Sequence, residues 1–76
     1  MSIASNNYKA FYTGLGSGFN DCETKEEAIN LLLEREKSRG ITPVAVIETA
    51  TKSIVWFNEK LGLKECARLA KEHNLI

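Results

Sequence analysis

The chain has 76 residues, 43% of them apolar, and its ten basic residues balance ten acidic ones. That length holds one domain, and with about a quarter of the chain Leu, Ile, Val or Phe at zero net charge it excludes an intrinsically disordered polymer. The charge balance also disfavours a dedicated duplex-DNA binder, whose affinity rests largely on a basic excess. A chain this short is cramped for an enzyme pocket of the usual ~300–1,000 Å³.

Residues 1–7 are small and polar and are expected to fray. Tyr8–Thr13 is aromatic-rich and predicts a strand, which the glycines of Gly14-Leu15-Gly16-Ser17-Gly18 end; Phe19 to Glu23 is expected to continue as loop. The first helix opens on a capping-box pattern, Thr24-Lys25-Glu26-Glu27, and carries Ala28, Ile29, Leu32 and Leu33 at helical spacing. Lys37 and Arg39 suit its C-terminal dipole, and Gly40 is a natural stop.

Val44–Glu48 and Lys52–Phe57 are dense in β-branched and aromatic residues, which predicts a hairpin around Thr49-Ala50-Thr51. In that register Val46 faces Ile54 and Val44 faces Trp56, with Ala45, Ile47, Val55 and Phe57 on the opposite face. No Gly or Asn supplies the positive φ that such turns favour. A second helix is expected over Leu63–His73, with Asn74 left-handed after it and Leu75 folding back. The predicted fold is therefore a single small α+β domain spanning 1–76, a three-stranded sheet with two helices in the order β-α-β-β-α.

The longest apolar runs, Leu31–Leu33 and Val44–Ile47, fall far short of the ~18–20 residues that span a bilayer. No N-terminal stretch joins a basic region to a long apolar core, so a cytoplasmic protein without membrane contact is expected. Cys22 and Cys66 are then expected to be reduced thiols, Cys66 as a small core residue.

Motifs for chemistry are weak. Gly14-x-Gly16-x-Gly18 departs from the dinucleotide fingerprint at its third glycine and stands six residues ahead of the helix, among Asp21, Glu23, Glu26 and Glu27. His73, the single histidine, lies a helical ~10 Å from Cys66, too far to share a zinc without a third element. No cofactor, no metal and no catalytic group is expected. Leu61-Gly62-Leu63-Lys64-Glu65 is similar to a stretch of the C-terminal domain of the ribosomal stalk protein. A strand followed by Thr24-Lys25-Glu26-Glu27-Ala28 resembles the cell-wall-binding SPOR repeats. Neither resemblance assigns a family.

The aromatic strands are the most informative feature. Tyr8 and Tyr12 share one face of their strand and Ile54 and Trp56 are expected to share one face of theirs, with Lys9, Lys52 and Lys60 near in sequence. The hairpin is apolar on both faces, so either one helix covers each face or both cover one and leave the other open to a partner. The expectation is a small non-enzymatic protein–protein interaction module, adaptor- or inhibitor-like, contacting a protein partner or a second copy of itself through Tyr8, Tyr12, Ile54 and Trp56. The alternative is weak single-stranded nucleic-acid binding through an aromatic sheet face, which the zero net charge disfavours.

Overall fold

A computed structural model describes residues 7–76. The elements are β1 (Tyr8–Thr13), β2 (Gly18–Cys22), α1 (Lys25–Arg39), β3 (Thr42–Glu48), β4 (Ser53–Phe57) and α2 (Leu63–Glu72). The fold is α+β with a four-stranded antiparallel sheet of order β2-β1-β3-β4. The expected sheet had three strands. The fourth is β2, which was expected to be loop and instead folds back on β1, pairing Tyr8 with Cys22 and Tyr12 with Gly18.

Gly14 and Gly16 make that reversal with φ of 119° and 100°, values that side-chain-bearing residues rarely adopt. Gly18 serves differently: a Cβ there would come within 3.0 Å of the Tyr12 hydroxyl, so the missing side chain makes room for the ring across the hairpin.

α1 begins as its sequence dictates. The Glu27 N–H donates to Thr24 Oγ1 at 3.1 Å, and the Glu27 carboxylate accepts from the Glu23 N–H at 3.0 Å, one residue earlier than the simplest capping box would have it. Gly40 ends the helix at φ 72°, its N–H donating to the Glu36 carbonyl. α2 ends in the paired bonds of a Schellman motif, Leu75 N–H to Ala70 O and Asn74 N–H to Lys71 O, with Asn74 at φ 61° and Leu75 buried. Asn7, expected to fray, is held at both ends of its backbone and side chain: its carbonyl accepts from Thr49 N–H and its amide donates to the Glu23 carbonyl. Residues 1–6, also expected to fray, lie outside the described residues.

The two helices lie on opposite faces of the sheet. Ala10 and Val46 point to α1, where Ala28 and Leu32 meet them; Phe11, Ala45 and Ile47 point to α2, against Cys66 and Ala70. Burying side chains such as Phe11, Leu32 and Ile47 contributes about 1.5–3 kcal/mol each. Of the two arrangements open to the sequence, one helix per face is the one adopted.

Two bulges set which residues reach which face. Opposite Phe11 and Tyr12, β3 carries Val44 as an extra residue, and Pro43 sits at that irregularity, where the loss of an N–H is tolerated. Between Val46 and Ile47 the register of β4 slips likewise, leaving Val55 without a partner. The observed pairs are Ala45–Phe57, Val46–Trp56, Ile47–Ile54 and Glu48–Ser53, in place of the expected Val46–Ile54 and Val44–Trp56. The turn runs over four residues, Thr49–Lys52, and Lys52 itself supplies the positive φ, 56°, while its N–H closes the loop on the Glu48 carbonyl.

Candidate interaction surface

A helix is about 10–12 Å across and strands lie about 4.8 Å apart, so one helix covers two or three strands of a four-stranded sheet. α1 packs on β1, β3 and β2, whereas α2 packs on β3 and β4. Each face is therefore left with one uncovered corner: the β4 side of the α1 face, and the β1–β2 side of the α2 face.

The corner beside β4 is a groove of about 670 Å³. Leu33 from α1 stands on one side, 43% exposed, and Val55 and Trp56 on the other, with buried Pro43 between the elements. Two acids and one base, Glu36, Glu59 and Lys60, also line it, with Asn58. The bulge in β4 brings Val55 and Trp56 to this face together, since both pack with the α1-side core, while Ile54 and Phe57 pack with the α2-side core.

The four residues singled out in sequence do not converge. Ile54 and Trp56 lie on opposite faces of the sheet, because the slipped register breaks the simple alternation that would have aligned them. Tyr8, Tyr12 and Trp56 share the α1 face, all half-buried, but each lines a different hollow. Tyr8 lies beside Asn7, Glu23 and Glu48 at one end of β1, and Tyr12 lies between the glycine turn and α1 at the other. Trp56 alone of the four belongs to the apolar groove. Sequence reasoning missed Leu33 as its partner: on a helical wheel Leu33 belongs with the core stripe, and only the lateral offset of α1 exposes it.

The opposite corner is closed by charge. Phe19 is 42% exposed there, but the Lys9 ammonium sits 4.2 Å above its ring and pairs with Asp21 at 3.1 Å.

The groups with chemical potential are quiet. Cys22 and Cys66 are buried free thiols; burial pushes the pKa of both up, helped at Cys22 by Glu27 and Asp21, which disfavours the reactive thiolate. The Cys66 thiol donates to the Val44 carbonyl at 3.1 Å, as a second donor beside the Asn58 N–H at 2.9 Å. His73 caps α2 and packs its ring on Phe11, centroids 5.2 Å apart. Among the described residues no three His, Cys, Asp or Glu side chains stand close enough to hold a metal ion, and no helix is long and apolar enough to cross a membrane. No family model matches the chain, and comparison with curated proteins and with solved structures gives no match either.

Proposed function

We propose that this chain is a small non-enzymatic protein-interaction module that pairs with a second copy of itself through the β4 corner. The observation that carries this reading is the open groove in which exposed Leu33 faces Val55 and Trp56. β4 is an edge strand without a charged residue or proline, and the bulge at Val55 is the one device that blunts it. The patch suits a two-fold contact. Leu33, Val55 and Trp56 supply apolar contact, and the lining carries both signs of charge, Glu36 and Glu59 with Lys60, for pairing between copies. With zero net charge the copies do not repel each other. Two free cysteines agree with the reducing, cytoplasmic setting that belongs to this proposal.

The test is the solution mass of the full chain by light scattering at micromolar to submillimolar concentration. The expected result is a dimer that Leu33→Glu converts to a monomer with an unchanged circular-dichroism spectrum, because Leu33 is exposed on a helix and glutamate is a good helix former. A wild-type chain that stays monomeric across that range overturns the proposal. Quenching of Trp56 by single-stranded oligonucleotides that fades with added salt would transfer the groove to nucleic acid instead.

A further inference from the structure

Between the glycine turn and the C-terminal half of α1 lies a small cavity of about 130 Å³, separate from the β4 groove. Its floor is apolar, formed by Ala10, Leu32 and Ile41, all buried. Arg35 and Arg39, one helical turn apart on α1, line it together with Tyr12 and Asn20 from the β1–β2 hairpin. No carboxylate lines it. Among the described residues neither arginine has an acidic partner, although Arg68 takes two and Lys9 one. Arg39 stands in the last turn of α1, where a cation suits the helix dipole, but Arg35 is a turn earlier and half-buried. A guanidinium without an acidic partner keeps its donors open to an anion, and its planar fork is the group best matched to a carboxylate.

We infer that this cavity binds an aliphatic carboxylate, its apolar body on Ala10, Leu32 and Ile41 and its charged group on Arg35 and Arg39. Size and lining decide the class. The volume matches about four waters at ~30 Å³ each, enough for one branched aliphatic group and well below the ~300 Å³ at which drug-sized ligands begin. Inorganic phosphate would satisfy the arginines but leave the apolar floor facing a fully hydrated ion. Leu15, 76% exposed on the glycine turn, stands at the lip, where it can fold over the apolar body of a bound acid. The same chemistry is offered by a free short-chain acid and by the last residue of a polypeptide.

Amide chemical shifts of the ¹⁵N-labelled full chain, titrated with four probes, test the inference and separate the two sources. The probes are 4-methylpentanoate, N-acetyl-leucine, N-acetyl-leucine amide and inorganic phosphate. Saturable shifts of Leu15, Gly16, Asn20 and Ile41 are expected with the carboxylates. Tighter binding of 4-methylpentanoate assigns a free acid, and tighter binding of N-acetyl-leucine a chain terminus. The uncharged amide and phosphate should each bind at least about tenfold more weakly, and Arg35→Gln should weaken the carboxylates by about tenfold or more, as loss of a charge-assisted bond requires. Arg39→Gln, at an exposed position, should do the same and stands in if Arg35→Gln disturbs the fold. No saturable shift with either carboxylate, equal binding of the amide or of phosphate, or undiminished binding by both arginine variants overturns the inference.

Discussion

The two uncovered corners of the sheet arise from one geometric shortfall and are finished in opposite ways. On the α2 face, Phe19 is sealed by a lysine that both covers its ring and pairs with Asp21. On the α1 face, Leu33, Val55 and Trp56 line an open groove together with Glu36, Glu59 and Lys60, and no ion pair covers the apolar residues. A single Lys–Asp pair near the surface contributes only about 0–1 kcal/mol to stability, so its value at Phe19 lies elsewhere. It makes the approach of another apolar surface unfavourable, because the ammonium and carboxylate would have to be stripped of water. Exposure of apolar area alone therefore does not distinguish the two corners; the presence or absence of a charge over it does.

The comparison is broken most sharply at Trp56 and Phe19. Trp56→Ala should abolish self-association and lower the unfolding free energy by about 2–3 kcal/mol, somewhat less than for a fully buried tryptophan, as read by urea denaturation. Phe19→Ala should leave the solution mass unchanged and cost under about 1 kcal/mol. Equal effects of the two on solution mass would show that the corners are not different in kind. Next in size, Lys9→Val combined with Asp21→Val should open the second corner and produce species larger than a dimer in light scattering, as β2 becomes an apolar edge. Lys9→Ala alone should cost about 0.5–1 kcal/mol, from loss of the ring contact and a part-exposed ion pair, and the cost should shrink at high salt.

The smallest effect is expected on α2, at Glu65. The Arg68 side chain donates to its carboxylate and holds it below the usual value of 4.5. A carboxyl lowered on folding stabilises the native state above its unfolded pKa, and that contribution fades as pH falls through the lower folded value. Water reaches about half of each side chain and screens the pair, so Glu65→Gln should change thermal stability only slightly near neutrality. Its difference from the wild type should shrink further in acid, as followed by circular dichroism.

Much of this architecture is legible in the sequence, and what is missing has identifiable causes. Thr24, Glu27 and Gly40 announce both ends of α1, and Asn74 with Leu75 announces the end of α2, because caps depend on local chemistry. β2 is hidden because Phe19-Asn20-Asp21-Cys22 has no β-branched residue and follows three glycines; its strand state comes from β1 across the hairpin. The shared face assigned to Ile54 and Trp56 fails because a bulge inverts alternation and leaves no mark in composition. Trp56 stands out as a candidate from its residue type. The placing of Leu33 beside it depends on how far α1 sits from β4, and Arg35 and Arg39 read along the helix as ordinary solvated charges, so both hollows emerge only from lateral packing.

The placement of β1 has a consequence for how the chain reaches this state. It is the first strand in sequence, yet it lies in the interior of the sheet, with Tyr8 opposite Glu48. Its hairpin with β2 can close early and cheaply, since the loop is four residues long. That hairpin has no lasting stability by itself until β3, the strand that both helices pack against, arrives beyond the whole of α1. Folding of this small protein should therefore be limited by one long-range search, the docking of β3 on β1, and a nascent chain truncated before Glu48 should hold little persistent structure.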